Sequence, residues 1–141
     1  MSVAIDTNVL VRLLVQDDEA QFAAARRLVD EAAKADEPVL IMLCALLETE
    51  WVLRSRYKLD KEAIAGAFAQ LLESGDVEFE HEPTVEEALH IWSQQSRADF
   101  ADCLLSARAV HLGRSRFLTF DVGASKLPRA ELLLDRTAPT W

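Results

Sequence analysis

The 141-residue sequence is poor in cysteine and histidine, the residues that dominate disulfide frameworks and zinc sites. Cys44 and Cys103 have no partner at a C-x-x-C spacing and stand in apolar surroundings, so we expect reduced core residues rather than a disulfide or a zinc site. The three histidines fit no metal-ligand spacing, and we expect surface or hydrogen-bonded core positions for them. These are His81, His90 and His111.

Long hydrophobic runs and low-complexity tracts are also missing. No apolar stretch approaches the length of a membrane span, and the first residues lack the basic region and cleavage site of a signal peptide. We therefore expect a cytoplasmic protein with no membrane partner. Half of the sequence is apolar, which argues against disorder. No repeat, linker or shift in composition divides residues 1–141, which predicts a single domain.

Basic residues are outnumbered by acidic ones, 15 to 24, and the net charge is −9. At face value this charge argues against a nucleic-acid binder. It equally fits a protein that concentrates part of its acidic excess in one pocket, where a divalent cation neutralises it. Composition alone leaves both interpretations open.

Short apolar runs alternate with stretches of helical periodicity. The runs predict buried strands at residues 3–5, 39–42, 117–120 and 132–134, and a short edge strand at 77–80. The helical stretches begin after Asp6, at Asp17-Asp18, at Leu43, after the N-cap Asp60, at a capping box over 84–87, and at Asp99. Strands separated by helices predict an α/β fold, with a central, mostly parallel sheet flanked by helices on both faces.

Two predicted strands end in an acid, Asp6 and Asp121. The carboxyl ends of parallel strands lie at one edge of a sheet, so these carboxylates converge if the two strands are neighbours. Glu48 lies in the helix that starts at the same edge. Asp102 lies in the first turn of the helix at Asp99, where the helix dipole favours anions. Four acids from distant parts of the chain can thus share one site.

Packed carboxylates repel one another, so they either take up protons or bind a cation. Ligands that are all oxygen suit Mg²⁺ or Mn²⁺ rather than zinc. Such an ion binds phosphate oxygens and polarises water, which is the chemistry of phosphodiester hydrolysis. No serine or cysteine has a histidine partner for nucleophilic catalysis, so a covalent mechanism is not favoured.

Each acid also has a purely structural interpretation. Asp6 could cap the helix that follows it, and so could Thr7 or Asn8. Asp99 could be an N-cap that needs no metal. Asp121 could simply begin a turn. Glu50, two positions from Glu48, is expected to be a solvated residue on another face of the helix.

Four segments of the sequence resemble the motifs of PIN-domain ribonucleases, and specifically of the VapC-type toxins of bacterial toxin–antitoxin pairs. In family order they are residues 5–10, 47–53, 99–107 and 118–121. The acids that match the family's functional positions are Asp6, Glu48 rather than Glu50, Asp102 with Asp99 as an accessory acid, and Asp121. Cys103 and Ser106 replace the more usual alanines of the third motif, which concerns packing rather than chemistry.

The resemblance implies a PIN-like domain in which the first and fourth strands are adjacent at the centre of the sheet. It implies the toxin of a type II toxin–antitoxin system, which cleaves RNA, commonly a tRNA or a ribosomal RNA, and so inhibits translation. The acids that would bind Mg²⁺ or Mn²⁺ are Asp6, Glu48, Asp99, Asp102 and Asp121. Three residues that do not bind the metal themselves would orient these ligands or a water molecule: Thr7, Asn8 and Thr119.

The resemblance also implies a homodimer and a cognate VapB-like antitoxin whose C-terminal segment covers the active site. Such a segment often presents arginine to the carboxylates, which the acidic net charge suits. Two other classes remain open: a catalytically silent PIN-like module that binds RNA or protein, and a phosphatase with Asp6 as nucleophile. The latter pattern needs an acid two residues later, where this sequence has Asn8.

The basic and aromatic side chains can be explained without a functional role. Eight basic residues are expected to be mostly exposed charge, and a subset of them near the acids could hold the RNA backbone. These are Arg26, Arg27, Arg54, Arg56, Lys58, Arg108, Arg114 and Arg116. Trp51 and Trp92 stand at helical spacing and are expected to be core or interface residues rather than platforms for base stacking.

Overall fold

The computed structural model describes residues 2–94 and 97–133. The chain divides into two compact units, Met1–Glu82 and Pro83–Trp141, and each is described by itself. Within the described ranges, no helix has both the length and the apolar character needed to cross a membrane.

The first unit contains a parallel sheet of three short strands. These are β1 (Ala4–Ile5), β2 (Val39–Ile41) and β3 (Val77–Phe79), in the order β1-β2-β3. Ala4 pairs with Leu40, and Val39 pairs with Val77. The three strands and the edge position of β3 confirm the sequence prediction. In a parallel sheet the carboxyl ends of all three strands lie at one edge, and Asp6 follows β1 there.

Four helices complete the first unit: α1 (Thr7–Leu14), α2 (Glu19–Lys34), α3 (Leu43–Ser55) and α4 (Lys61–Ser74). Two begin at aspartates whose side chains accept backbone N–H groups, Asp18 from Gln21 at 3.0 Å and Asp60 from Ala63 at 2.8 Å. Helix α4 ends at Gly75, whose φ of 69° is the left-handed conformation that glycine adopts at little cost. The helix starts predicted at Asp18 and Asp60 are confirmed.

Helix α3 packs against α1 and α4 and begins at Leu43, as predicted. Its buried residues are Ala45, Leu46, Thr49, Glu50 and Leu53. The opposite face carries Cys44, Glu48 and Trp51, which follow at i, i+4 and i+7 and are exposed. The core position predicted for Cys44 is therefore wrong, and Trp51, 53% exposed, is not a core residue. Both cysteines are free, as predicted.

The start of α3 takes its cap from another strand. Met42 at the N-cap position offers no side-chain hydrogen bond. Instead, the Glu80 carboxylate accepts the Leu43 N–H at 2.8 Å, while the Glu80 N–H donates to the Ile41 carbonyl at 2.9 Å. Glu80 follows β3 and so ties the start of α3 to the same sheet edge as Asp6.

The second unit holds most of α5 (Glu82–Gln94), together with α6 (Phe100–His111), β4 (Phe117–Thr119), a short 3-10 turn (Ala124–Lys126) and β5 (Ala130–Leu132). Strand β4 pairs in parallel with β5, with Phe117 opposite Ala130. Trp92 and Phe100 are buried, and their ring centroids lie 5.0 Å apart. Trp92 is thus the core residue that the sequence predicted.

Three details of this unit differ from the predictions. The capping box at Thr84 is wrong, because α5 already begins at Glu82 and the buried Thr84 hydroxyl bonds His111 Nδ1 at 2.8 Å. Strand β4 is not a core strand, since Leu118 and Phe120 are 45% and 70% exposed. Strand β5 starts two residues earlier than expected, and Leu134, the last residue predicted in it, lies outside the described residues.

All strand pairings in the described residues are parallel and the strands alternate with helices, which confirms the α/β class. The sheets pair β1 with β2 and β4 with β5. Adjacency of the first and fourth strands, which the resemblance implies, stays a prediction, and so does the single domain.

Candidate active site

Asp6 stands at the tip of β1 as the N-cap of α1. Its backbone is extended (φ −89°, ψ 178°), and one carboxylate oxygen, Oδ1, accepts the Val9 N–H at 3.0 Å. The cap is therefore Asp6 itself, as its structural interpretation stated, and not the following Thr7 or Asn8. The residue is exposed, and capping occupies only Oδ1. A structural role and a ligand role are compatible at this position.

Glu48 lies on the exposed face of α3 and accepts a hydrogen bond from the Thr7 hydroxyl, with 2.5 Å between Thr7 Oγ1 and Glu48 Oε1. Thr7 directly follows Asp6 in the chain. The bond therefore places the Glu48 carboxylate beside the turn that carries Asp6. The structure brings these two sequence-predicted acids to one part of the first unit.

Glu50 is not the solvated residue that the sequence predicted. It is 3% exposed, and its carboxylate accepts from Arg54 Nε at 2.8 Å and from Arg54 Nη2 at 3.4 Å. A buried carboxylate needs such a partner to offset the loss of hydration. Glu50 therefore has a structural role, and Arg54 is its partner rather than free surface charge.

A polar network that sequence reasoning missed joins α1 to the segments after α1 and α3. Arg12 Nη1 donates to Asp17 at 3.0 Å and to Tyr57 Oη at 2.9 Å, and the Tyr57 hydroxyl donates to Asp17 at 2.8 Å. Arg12 Nε also donates to Gln21. The hydrogen bond from Tyr57, followed by the charge of Arg12, holds the pKa of Asp17 below its ordinary value. Tyr57 lies 40 positions from Asp17, so no local pattern reveals this contact.

Three further acids gather in the second unit. Asp99 occupies the N-cap position of α6 but makes no side-chain hydrogen bond to the helix. Asp102 follows in the first turn and is half-buried. Burial, and then the negative charges of Asp99 and Asp121, raise the pKa of Asp102. Asp99, Asp102 and Asp121 are therefore electrostatic neighbours, as packed carboxylates without a counter-charge would be.

Asp121 begins a turn, as its structural interpretation stated. Asp121 Oδ1 accepts the Gly123 N–H at 3.2 Å, and Thr119 Oγ1 accepts the Asp121 N–H at 3.0 Å. A Cβ at position 123 would lie 2.5 Å from the Arg97 carbonyl oxygen, so the turn requires glycine. The turn holds the Asp121 carboxylate through Oδ1 and fixes its direction.

The donor set is made of carboxylate oxygens, with no thiolate or imidazole among the predicted ligands. His111, for example, bonds Thr84 and Glu87. Oxygen donors that repel one another suit a hard divalent cation. Within residues 2–94 and 97–133, no group of three or more histidine, cysteine, aspartate or glutamate side chains already has the arrangement of a metal site. Gathering of the two sets of acids stays a prediction.

Comparison with known proteins gives the family. The sequence profile of the PIN domain matches residues 3–130 and so spans both compact units. Among solved structures, VapC20 of Mycobacterium tuberculosis, described as a toxin that cleaves the sarcin–ricin loop, is 22% identical with a TM-score of 0.39. That match covers 91% of this chain and 98% of VapC20. No curated protein matches the sequence. On the profile match over most of its length, this chain belongs to the PIN-domain family.

Proposed function

We propose that the protein is the toxin of a type II toxin–antitoxin system and acts as a metal-dependent endoribonuclease. The observation that carries the proposal is that a chain of the PIN-domain family places Asp102 in the first turn of α6, with Asp99 at the start of the same helix. Burial, and then the charges of Asp99 and Asp121, raise the pKa of Asp102. Carboxylates that repel one another in this way favour a cation at the site.

The residues that would hold the ion are Asp6, Glu48, Asp99, Asp102 and Asp121. All offer carboxylate oxygens, which favours Mg²⁺ or Mn²⁺. When bound, such an ion neutralises charge on the phosphodiester and lowers the pKa of water. The proposal requires the two sets of acids, one in each compact unit, to converge within one PIN domain.

Neighbouring residues keep the carboxylates oriented. Thr7 holds Glu48, and Glu80 fixes the start of the helix on which Glu48 lies. On the other unit, the turn closed by Gly123 holds Asp121. Partners of this kind preorganise ligands, and their loss lowers metal affinity or activity about 10–100-fold. Thr119 and Asn8 complete the predicted supporting set.

The proposed substrate is RNA, with tRNA or ribosomal RNA as the expected class, and the consequence of cleavage is inhibited translation. The proposed inhibitor is a VapB-like antitoxin that presents arginine to the carboxylates, because guanidinium groups pair with carboxylates in a forked geometry. We propose a homodimer as the active form.

The test is an Asp6→Asn variant assayed on total RNA with Mn²⁺ and by growth after induction. Asparagine matches aspartate in size and keeps an oxygen for the Val9 N–H, so the fold is retained while the negative charge is lost. We expect cleavage to fall at least about a hundredfold and growth inhibition to disappear.

The matched control is Asp36→Asn, an exposed residue with φ of 59°, a conformation that asparagine also tolerates. We expect this variant to cleave RNA like the wild type. A folded Asp6→Asn protein with full cleavage and toxicity would contradict the proposal. A wild-type protein that binds no Mn²⁺ and cuts no RNA would indicate a silent binding module instead.

A further inference from the structure

A groove of about 360 Å³ lies between α1 and α2 in the first unit, and Asp6 forms part of its wall. This volume is at the lower end of the range for small-molecule sites, roughly 300–1,000 Å³. It suits a group the size of one nucleoside better than an extended segment of another protein. Since Asp6 belongs to the proposed cleavage centre, an occupant of the groove would lie next to the bond that is cut.

Two amide side chains, Asn8 and Gln21, line this groove from opposite helices. Gln21 Oε1 accepts a hydrogen bond from Arg12 Nε, which fixes the orientation of the amide. The Gln21 NH₂ group is therefore the part left to donate to an occupant. Amide side chains recognise the edges of nucleobases through such donors and acceptors.

The charges of the groove favour a neutral occupant. Asp6 and Arg12 contribute one charge of each sign to the wall, and Arg12 is already bonded to Asp17 and Tyr57. A phosphate would meet the Asp6 carboxylate, and an arginine from a protein partner would meet Arg12. A nucleobase carries no charge at neutral pH and avoids both repulsions.

The rest of the wall is aliphatic, formed by Val9, Ala24, Ala25 and Leu28. Sequence-specific binding of RNA uses bases that are splayed out of the strand, with their flat faces packed and their edges hydrogen-bonded. An aliphatic wall next to two amides provides both kinds of contact.

We infer that this groove binds one nucleobase of the RNA strand, next to the scissile phosphate, and that the Gln21 amide donates to an acceptor on the edge of that base. The inference rests on the proposed function, because it takes RNA as the substrate. It adds a residue that determines which base is accepted beside the cut.

The first test uses short single-stranded RNAs with randomised bases and maps the bases that flank each cut. Gln21→Glu keeps a side-chain oxygen that accepts from Arg12 Nε. It replaces the NH₂ group, which would donate to the base, with a second oxygen that can only accept. We expect the preference at one position beside the cut to change roughly fivefold, the effect of one hydrogen bond, with other positions unchanged. Gln70→Glu, an exposed residue of α4, makes the same change of charge and should leave all preferences unchanged.

A second variant tests the size of the groove. Ala24→Leu fills the groove from an exposed position on α2 and keeps a good helix former. We expect purines to be rejected more strongly than pyrimidines at the same position. Ala23→Leu, the exposed neighbour that lines a different groove, is the control and should cleave with wild-type preferences.

Cleavage by the wild type and base preferences of the two variants distinguish a failure of the proposed function from a failure of the base-binding inference. A wild-type protein that cleaves no RNA would overturn both the proposed function and this inference. Wild-type cleavage with the same base preferences in Gln21→Glu and Ala24→Leu would overturn the base-binding inference alone. A uniform loss of activity across all sequences in these two variants would also overturn it.

Discussion

Glu48 and Glu50 lie two positions apart on α3, and their environments differ completely. Glu48 is exposed and held by the Thr7 hydroxyl next to Asp6. Glu50 is buried and paired with Arg54. The Glu48 carboxylate can therefore bind a ligand from solvent, whereas the Glu50 carboxylate is buried and already paired. The same change of charge should therefore have opposite consequences at the two positions.

Replacing each residue by glutamine separates function from stability. We expect Glu48→Gln to lower RNA cleavage at least about tenfold while unfolding free energy changes by less than about 0.5 kcal/mol. We expect Glu50→Gln to lower unfolding free energy by about 1 kcal/mol, because a charged hydrogen bond to Arg54 is weakened, with cleavage retained. Urea unfolding and a cleavage assay on both variants measure this; the reverse pattern would refute the assignment.

At the scale of the element, N-caps show which local signals the sequence carries. The caps at Asp18 and Asp60 were predictable because a capping side chain bonds a backbone group only three residues away. The apparent box at Thr84 failed because its hydroxyl serves a contact 27 residues away, to His111, and the helix starts earlier. Local patterns cannot anticipate such long-range partners.

The exposure of Cys44, the burial of Glu50 and the exposure of β4 were missed for a related reason. Which face of an amphipathic element is buried depends on the elements that pack against it, and apolar residues on both sides of α3 left that choice open. The acids at the ends of β1 and β4 were found because a strand end needs only local pattern to recognise. Whether those strands are neighbours is decided by topology, which the residues alone do not specify.

Two N-cap aspartates offer a matched comparison between a structural and a proposed functional role. Asp60→Ala removes a bond to Ala63 N and should lower unfolding free energy by about 1 kcal/mol, with cleavage unchanged. Asp99 makes no such bond, so Asp99→Ala should change stability by less than about 0.5 kcal/mol but lower cleavage. Thermal or urea unfolding beside a cleavage assay checks both. Equal destabilisation by the two changes would mean that Asp99 is only a cap.

The network around Asp17 predicts a dependence of stability on pH. Its hydrogen bond from Tyr57 lowers the pKa of Asp17 in the folded state below the ordinary value of 3.8. A lowered pKa in the folded state stabilises the protein at neutral pH, and this contribution is lost as the pH falls through the folded value. The stability difference between wild type and Asp17→Asn should therefore shrink as the pH falls from 7 to below 3.8.

Urea midpoints of the two proteins across this range provide the measurement. Tyr57→Phe removes the hydroxyl that donates to Asp17. In a protein that carries Tyr57→Phe, the effect of Asp17→Asn on stability should therefore be smaller than in the wild type. A gap between wild type and Asp17→Asn that stays constant with pH would show that Asp17 does not titrate differently in the folded and unfolded states.

At the scale of the whole molecule, five of the acids that contribute to the net charge of −9 lie in two groups. Two acids lie near the turn after β1 in the first unit, and three surround the start of α6 and the end of β4 in the second. The PIN-domain profile runs through both units, from residue 3 to residue 130. A function that needs all five carboxylates requires the two units to form one site.

Calorimetric titration of Mn²⁺ tests this requirement most directly, with wild type, Asp6→Asn from the first unit, Asp121→Asn from the second, and Asp36→Asn as control. Because carboxylates from both units would hold the same ion, we predict that either site variant weakens Mn²⁺ binding at least about tenfold, while the control binds like the wild type. Wild-type affinity in either folded site variant would contradict a single shared metal site.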